Sequence, residues 1–547
     1  MEQIKDEALK LQQTLNEGKW AEVIALSKPF LAAQPNSFIG LRAVAFANFN
    51  LQKWLESLEF TNRALALRPD AIRLLFIRAR ALEKLKRPIK ALDAWDAFFK
   101  LDPKNTKALY HYATLLGSVK RPKLALDAWN SLLEIEPLSI PGLTGRGNAL
   151  RRFGKRKEAL ECFTKLLELK PNSPENHNNM GLVLADQGDY QDAIEHYQAA
   201  LELRKNYRPA LNNIGNSLLC IGRYQEAIDH YDQALAINSQ LNSSKWNKGT
   251  AMTHLKLSKE AWELFEFRPD HGKKDLPRLE NLSDGPQCLK GKKVLIQWEA
   301  RFGDSIQLVR YLPKMLDYLD ECYLQVPKEL KSLYARSFPG VKVISGDEPH
   351  HAEWRLPYVS LPLVMETFSL EAIPVEVPYL KAASELNPLP IKKKAKSKRV
   401  GLVWRGNPVP AHRSVPFEAL LPLLEIKGVQ WFSLQKDLNE NERTQLQALK
   451  QVTIVDEQLT DFDVTAALVD SLDLVISIDS AVAHLSGALG KPIWVMLKYA
   501  ADWRWGYNDE PISPWYPTSV LYRQETLGDW SDPVKLLAKN LKHHIVA

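Results

Sequence analysis

The sequence predicts a multidomain protein: an all-α repeat superhelix followed by an α/β domain with two Rossmann-like lobes. Three observations predict this fold class. The chain has 547 residues, its first half has a 34-residue period, and its second half alternates apolar strands with helical segments. A chain of this length exceeds what one hydrophobic core usually supports, so at least two domains are expected.

The first half carries a regular internal repeat. Small residues recur every 34 positions, at Ala45, Ala79, Ala113, Gly147, Gly181, Gly215 and Gly249, and prolines keep the same step at Pro35, Pro69, Pro103, Pro137 and Pro171. A second small residue and an aromatic follow in each later period: Ala91 and Trp95, Ala125 and Trp129, Ala159 and Phe163, Ala193 and Tyr197, Ala227 and Tyr231, Ala261 and Phe265. Small residues let two antiparallel helices approach closely, the aromatic fills the gap, and proline ends the second helix. The pattern is similar to the tetratricopeptide repeat, and about eight repeats are predicted over residues 1–275.

Three asparagines, Asn179, Asn213 and Asn247, occupy the same position of three consecutive repeats. A carboxamide both donates and accepts hydrogen bonds, so a ladder of them can hold an extended peptide backbone whatever its side chains. The ladder resembles that of the O-linked N-acetylglucosamine transferases and predicts an acceptor groove for a protein or peptide. The alternative is that asparagine is simply common on exposed helix faces.

Composition narrows the class of partner. The formal charge is +7, and the run at 392–399 supplies six positive charges, which leaves about +1 elsewhere. No nucleic-acid partner is therefore expected, and residues 391–399 are interpreted as a basic linker between lobes. The four cysteines have no metal-ligand spacing and the N-terminus does not resemble a secretory signal, so a cytoplasmic protein without a metal site is expected. No apolar run is long enough for an integral membrane segment.

The second half is predicted to be a two-lobed α/β domain. A linker is expected at 276–291, a first lobe on the acceptor side at 292–390, and a second lobe on the donor side at 400–547. The predicted strands are 293–298, 322–327 and 341–346 in the first lobe, and 399–404, 429–434, 452–456, 473–479 and 492–497 in the second. Such alternation implies parallel sheets, in which ligands bind at the carboxyl ends of the strands.

The most informative segment is DLVISIDSAVAHLSGALGKPIWVML at 473–497, where a buried strand ends at Asp479 and a helix begins after it. The N–H groups of a helix start favour a diphosphate, with Asp479 or Ser480 as cap. Asp479, Ser480 and His484 match the Asp-Ser/Thr-x-x-x-His donor-binding motif of the heptosyltransferase-like superfamily, with Ala481 where bacterial members usually have glycine. Together with 400–424, 432–437 and 501–524, the segment resembles the catalytic half of the tetratricopeptide-fused glycosyltransferases, which implies a GT-B-like fold across most of 292–547.

Further site residues are predicted from their places after strands. Arg405, Arg413 and Lys436 can hold phosphate oxygens of a donor, although each alone could be a surface charge. Asp304, after Gly303, resembles the aspartate that serves as general base in the heptosyltransferases. The fused members more often read Gly-Leu-Gly-Asp, so Arg301 is a departure, and Asp304 could instead be a helix N-cap.

An aromatic cluster is predicted near the C-terminus of the second lobe. Its members are Trp503, Trp505, Trp515 and Tyr516. Aromatic clusters of this kind favour core packing over stacking on a sugar.

The resemblance implies a metal-independent inverting glycosyltransferase. It would move a sugar from a nucleotide-sugar donor, as co-substrate and with no further cofactor, to a protein hydroxyl held by the repeat groove. Flagellin is the leading acceptor by analogy. The alternative is a protein-interaction scaffold whose glycosyltransferase-like domain is inactive, which the departures Arg301 and Ala481 favour.

Overall fold

A computed structural model describes residues 2–269, 275–299, 301–386, 397–407, 411–507 and 510–546. The chain divides into two compact units, Met1–Val183 and Leu184–Ala547. Among the described residues, no helix combines the length and the apolar character needed to cross a membrane.

The first half forms sixteen described helices in antiparallel pairs, as the period predicts. They are α1 Glu2–Asn16, α2 Trp20–Ala33, α3 Phe38–Asn50, α4 Trp54–Leu67, α5 Ile72–Lys84, α6 Pro88–Phe99, α7 Thr106–Ser118, α8 Pro122–Ile135, α9 Ile140–Arg152, α10 Arg156–Leu169, α11 Pro174–Gln187, α12 Tyr190–Leu203, α13 Arg208–Cys220, α14 Tyr224–Ile237, α15 Asn242–Leu255 and α16 Lys259–Phe265. The first unit ends within α11, and α12 to α16 belong to the second unit.

Helix pairing follows from the small residues. A Cβ added at Gly147 would lie 2.8 Å from the ring of Phe163, and one added at Gly215 would lie 2.5 Å from the ring of Tyr231. In both pairs the small residue of the first helix therefore faces the aromatic of the second helix of the same repeat. This contact is the physical basis of the 34-residue pattern.

The first lobe contains a four-stranded parallel sheet in the order β3-β2-β1-β4. Its strands are β1 Lys293–Gln297, β2 Glu321–Val326, β3 Lys342–Ser345 and β4 Trp354–Pro357, and its helices are α17 Phe302–Leu308, α18 Leu312–Met315, α19 Lys328–Ser337 and α20 Leu361–Val364. The edge strand β4 was absent from the prediction because it is four residues long and carries a central arginine.

The interpretation of 276–291 as a linker was wrong. Leu279 donates its N–H to the carbonyl of Arg355 (2.9 Å), so the segment pairs with β4. The following 3₁₀ turn, Leu282–Leu289, places Leu282 and Leu289 in the core. The apolar residues of 276–291 follow neither a helix period nor a strand period in the sequence. Leu282 and Leu289 are nevertheless part of the hydrophobic core.

The second lobe contains a six-stranded parallel sheet in the order β10-β9-β8-β5-β6-β7. Its strands are β5 Lys398–Val403, β6 Val429–Ser433, β7 Val452–Ile454, β8 Leu474–Ile478, β9 Ile493–Leu497 and β10 Ser519–Arg523, and its helices are α21 Phe417–Leu424, α22 Glu440–Ala448, α23 Phe462–Asp470, α24 Ala481–Ala488 and α25 Ser531–Val546. Strand β10 was not predicted. Of the proposed basic linker, residues 391–396 lie outside the described residues, and Lys398 and Arg399 begin β5.

The last repeat shares a core with the two lobes. Trp262 of α16 packs edge-on against Trp503 (5.2 Å between ring centroids) and donates its indole N–H to the carbonyl of Thr367 (2.7 Å). Trp262 and Phe265 are buried in the same apolar cluster as the strands of both sheets. The end of the repeats is thus part of the second unit's interior.

Helix pairing is tested by replacing Gly145 of α9 with alanine. The added methyl group would overlap the indole ring of Trp129, so overpacking should lower the free energy of unfolding by about 1–3 kcal/mol. Gly117→Ala in α7 is the matched control, because its Cβ would meet no atom within 4 Å. Thermal and urea unfolding of the full chain, followed by circular dichroism, measures both. Equal stability of the two variants would contradict the packing account.

Candidate functional site

The six-stranded sheet reverses its strand order between β5 and β8. Strands β6 and β7 extend the sheet on one side of β5, whereas β8, β9 and β10 extend it on the other. Open α/β sheets bind ligands beyond the carboxyl ends of the strands at such a reversal. The residues that follow β5, β8 and β6 there include Arg405, Asp479 and Lys436, so the fold brings these predicted positions to one edge.

Gln435 ties the ends of β5 and β6 together. Its side-chain oxygen accepts the backbone N–H groups of Trp404 (3.2 Å) and Arg405 (2.9 Å). Its amide nitrogen donates to the carbonyls of Arg405 (3.2 Å) and Lys436 (3.0 Å). The buried glutamine therefore fixes the spacing of two loops at the site. Sequence reasoning missed it, although it lies beside a predicted site lysine.

The side chain of Arg405 is engaged by other residues of the protein. Its guanidinium forms an ion pair with Glu442 (3.0 Å) and donates to the carbonyl of Asp437. The buried Glu442 also accepts the indole N–H of Trp404 (3.1 Å) and the backbone N–H of Asn439 (3.1 Å). In this arrangement the arginine shapes the loop after β6 and its positive charge is compensated.

Arg413 joins the loop before α21 to the end of β8. Its Nε donates to the backbone carbonyl of Asp479 (3.1 Å), and its Nη2 lies 3.2 Å from the carboxylate of the same residue. The indole N–H of Trp505 donates to the other carboxylate oxygen (2.9 Å). Burial raises the pKa of the Asp479 carboxyl, but the neighbouring His484 imidazole, the Arg413 charge and the indole outweigh this effect and hold it well below its ordinary value.

The start of α24 is capped by Ser480. Its hydroxyl accepts the backbone N–H of Ala483 (3.2 Å) and lies 2.8 Å from the hydroxyl of Ser477. Of the two caps considered from the sequence, Ser480 therefore performs this role. Asp479 instead points its carboxylate toward Arg413 and Trp505.

His484 is buried inside the site, with 3% of its surface exposed. Its Nδ1 lies 2.9 Å from the hydroxyl of Tyr516, and its Nε2 lies 3.7 Å from the Asp479 carboxylate. The ring also stacks on Trp505 (4.9 Å, 23°). Both ring nitrogens face protein groups, so in this arrangement the histidine orients Asp479.

The aromatic cluster forms the core around this histidine. Trp503, Trp505, Trp515 and Tyr516 are at most 3% exposed. The expected core packing is therefore confirmed, and these rings line the buried side of the site.

The Gly303-Asp304 turn of the first lobe meets this assembly directly. A Cβ added at Gly303 would lie 2.9 Å from the ring of His484 and 3.7 Å from the Cα of Ala481. Only a residue without a side chain allows helix α17 to approach α24 this closely. The two lobes thus bring the predicted base and the predicted donor motif together.

Asp304 has partners for both carboxylate oxygens. It is the third residue of α17, and its Oδ2 accepts the backbone N–H of Arg301 (3.2 Å). Its Oδ1 forms an ion pair with Arg504 (2.7 Å). Asp304 therefore stabilises the helix start, as its alternative interpretation required, but from the third helical position rather than from the N-cap. Its other oxygen faces the second lobe.

Arg504 was missed by sequence reasoning. It bridges Asp304 and Asp502 (both 2.7 Å). Burial lowers the pKa of its guanidinium, but the two carboxylates more than reverse this effect, so its charge is firmly retained. A lone cation among the aromatic residues of 501–516 was the signal available in the sequence.

Lys436 differs from the two arginines. Its side chain is exposed, and no hydrogen bond or ion pair with another described residue engages its ammonium group. It is thus available to a ligand at the edge of the sheet. Within the described parts of the chain, no group of three or more His, Cys, Asp or Glu side chains is placed to hold a metal ion.

The three predicted ladder asparagines are half-buried on α11, α13 and α15. Asn179 lies in the first unit, and Asn213 and Asn247 lie in the second. The Asn247 amide donates to Asn216 (2.8 Å) and to Asn212 (3.3 Å). Asn247 therefore already uses the N–H donors that a peptide would need, and the 34-residue spacing does not reveal this network.

Comparison with known proteins identifies the repeats of this chain. A tetratricopeptide-repeat family model matches residues 142–206 and 173–240. The chain therefore carries tetratricopeptide repeats. Protein FlbA of Caulobacter vibrioides is 29% identical over 334 residues, which cover 54% of this chain and 54% of the relative. The chain thus spans about half the length of that relative.

Solved repeat proteins are also similar. YrrB, described as a tetratricopeptide-repeat protein with an unusual peptide-binding site, shares 20% identity at a TM-score of 0.32, over 34% of this chain and 95% of that one. A tetratricopeptide repeat protein from Parabacteroides merdae shares 16% identity at a TM-score of 0.35, over 46% of this chain and 100% of that one.

The charge of Asp502, in the loop that carries Arg504, acts on His254 of the repeats. This residue of α15 stacks on Tyr224 (4.5 Å, 15°). Burial lowers the pKa of its imidazole to about 4, against the opposing attraction of Asp502. The folded protein therefore favours the neutral ring.

This environment predicts a pH-dependent stability. Between pH about 6.5 and about 4 the unfolded chain binds a proton at His254 that the folded chain does not, so the free energy of unfolding falls as the pH falls. His254→Gln should remove this loss, which we expect to be about 1–3 kcal/mol at pH 4. Urea unfolding of both proteins across this range is the measurement. A constant difference between them at every pH would contradict the assignment.

Proposed function

We propose that the chain is a cytoplasmic, metal-independent inverting glycosyltransferase that moves a sugar from a nucleotide-sugar donor to a protein hydroxyl. One observation carries the proposal. The strand-order reversal of the second lobe, with the capped start of α24, lies directly against the Gly303-Asp304 turn of the first lobe. Donor and acceptor chemistry would meet at this contact.

The donor side suits the diphosphate group of a nucleoside diphosphate. The start of α24 presents backbone N–H groups and the positive end of a helix dipole, both of which favour phosphate oxygens. Lys436 supplies a cation that has no ion-pair partner in the described part of the chain, and Arg413 holds the turn by its contacts with Asp479. We assign Lys436, Ser480 and Arg413 to the departing diphosphate. Arg405, Asp479 and His484 belong to the donor site as residues that position the loops.

The acceptor side suits base catalysis by Asp304. In the proposed reaction the hydroxyl oxygen attacks the anomeric carbon, its proton passes to the Asp304 carboxylate, and the nucleoside diphosphate leaves. The Oδ1 atom needed for this step is paired with Arg504 (2.7 Å). Acceptor binding would therefore have to displace Arg504 from this oxygen.

The repeats would deliver the acceptor. We assign Asn179, Asn213 and Asn247 to its backbone, with Asn247 contributing its carbonyl oxygen because its amide donates to Asn212 and Asn216. Flagellin is the leading acceptor, by the resemblance to fused glycosyltransferases.

A second candidate function is a protein-interaction scaffold with an inactive glycosyltransferase-like domain. The observation that favours it is that the site residues are already engaged by other protein groups. Both carboxylate oxygens of Asp304 have partners, and the His484 ring lies against Gly303. A site built only for stability would look the same.

A panel of nucleotides and nucleotide sugars separates the two functions. A ligand that binds only the folded state raises the melting temperature. The glycosyltransferase proposal expects a shift with one nucleoside diphosphate and its sugar, together with sugar transfer or slow hydrolysis of that donor. Binding without transfer or hydrolysis favours the scaffold, and absence of binding across the panel contradicts the donor site.

Lys436→Ala should weaken nucleotide binding without unfolding the protein. Loss of one charge-assisted hydrogen bond corresponds to about tenfold or more in the dissociation constant. Lys450→Ala is the matched control. Lys450 is also exposed, but it lies between α22 and the start of β7 and not at the carboxyl end of a strand. Calorimetric titration with the nucleotide chosen from the panel measures both. Equal affinities of the two variants would remove Lys436 from the donor site.

Asp304→Asn should keep nucleotide affinity and lower transfer. The amide preserves size but is not a base, so turnover should fall by about 10²–10⁴-fold. Because the same change also breaks the Arg504 ion pair, Asp502→Asn serves as control: it removes another Arg504 partner at 2.7 Å without touching the proposed base. If the two variants lose transfer equally, or if Asp304→Asn keeps normal turnover, the assignment as base is refuted.

A further inference from the structure

The positive charge of the chain is concentrated in the first unit. Residues 1–183 contain 29 Lys and Arg against 19 Asp and Glu, a net charge of +10, whereas the remaining residues are net −3. The small charge found outside the basic run at 392–399 is therefore the sum of two large opposite charges. The interpretation of the net charge as one local run was incomplete, because it did not separate the two halves.

An apolar cavity of about 220 Å³ lies between α3 and α5 in this unit. Phe46, Phe49, Phe76 and Ile77 wall it, and Asn50 and Arg73 lie at its rim. The three phenyl rings are only partly buried, so their apolar faces remain open to a partner. A cavity with such walls accepts one apolar side chain of a partner.

One cation, Arg73, lines the cavity, and two others lie over aromatic rings of α3 and α5. Arg73, Arg68 and Lys107 are exposed and form no ion pair with the described residues. Lys107 lies 5.6 Å from the ring centroid of Phe76, and Arg68 lies 4.4 Å from that of Phe38. Positive charge therefore accompanies the partly buried aromatic rings of α3 and α5.

Two titratable groups report the same excess of positive charge. Burial lowers the pKa of the Arg42 guanidinium, and the charges of Arg73 and Arg68 lower it further. Burial also lowers the pKa of His111 to about 4, with additional lowering by Arg80 and Lys107. The nearby acid Glu83 does not offset this charge, since it pairs with Arg80.

We propose that the cavity between α3 and α5 is a docking site for an acidic polypeptide segment that inserts one aromatic or leucine side chain. Charge complementarity selects the acidic flanks, because Arg73, Arg68 and Lys107 have no carboxylate partner among the residues that the structure describes. A cavity of about 220 Å³ accommodates one apolar side chain rather than a row of stacked bases. The site is independent of the proposed sugar transfer, and it differs from the asparagine-lined helices α11, α13 and α15.

Fluorescence anisotropy with the full chain tests the proposal. The probe is a labelled peptide in which glutamate and aspartate flank one Trp-Leu pair. It is compared with a lysine-flanked version and with one carrying Ser-Ser in place of Trp-Leu. The acidic Trp-Leu peptide should bind best, by about tenfold over either version, and its affinity should fall with added salt.

Arg73→Glu is the test variant, and Lys90→Glu is its control, because Lys90 is exposed on α6 outside the cavity. Arg73→Glu should weaken the acidic peptide by about tenfold or more, whereas Lys90→Glu should change it less than about twofold. Circular dichroism verifies that both variants fold. The proposal is overturned if the acidic peptide does not bind, if the two variants lose affinity equally, if the Ser-Ser peptide binds as tightly, or if a single-stranded oligonucleotide binds more tightly than the peptide.

Discussion

The candidate site depends on the interactions of the Asp479 carboxylate with its neighbours. This carboxylate lies at the end of β8, where it receives Arg413 from the loop before α21 and the indole of Trp505 from the loop after β9. The same carboxylate lies 3.7 Å from Nε2 of His484 on α24. A buried charge of this kind is tolerated only when several partners compensate it, so removing one partner would disturb all of these loops.

A second constraint links the lobes. The close approach of Gly303 to His484 brings α17 against α24, and Arg504 extends from the second lobe to Asp304. The same loop acts on the repeats, since Asp502 pairs with Arg504 and its charge also attracts the imidazole of His254 on α15. The last repeats and both lobes consequently share one interior, in which Trp262 and Trp503 are in contact. The end of the repeats is therefore a structural part of the candidate site's support.

The fold was predictable where one packing arrangement repeats. The pairing of Gly215 with Tyr231 follows from the same rule as that of Gly147 with Phe163, two repeats earlier: a small residue of the first helix faces an aromatic ring of the second. Most strands were predictable because buried parallel strands are nearly continuous apolar runs. The edge strand Trp354–Pro357 was not, since Arg355 interrupts its apolar pattern and its partner at 277–279 is distant in sequence.

The candidate site was predictable in its positions but not in its partners. Motif and strand ends placed Asp304 and His484 near one another, and the structure brings their turns into contact. Partners such as Gln435, Glu442 and Arg504 were missed because they contact the predicted residues only after folding, across 30 or more residues of chain, as with Gln435 and Arg405. A single sequence can single out Arg504 as a lone cation among aromatic residues, but it does not show which residue each of these partners contacts.

Hydrogen–deuterium exchange of the full chain, with and without UDP, ADP or GDP, tests the central claim most directly. If the strand-order reversal is the donor site, one nucleotide should slow exchange at backbone amides of residues 479–484, 404–407 and 434–437, the segments that follow β8, β5 and β6. Protection confined to other parts of the chain, or absent with every nucleotide, would contradict the account.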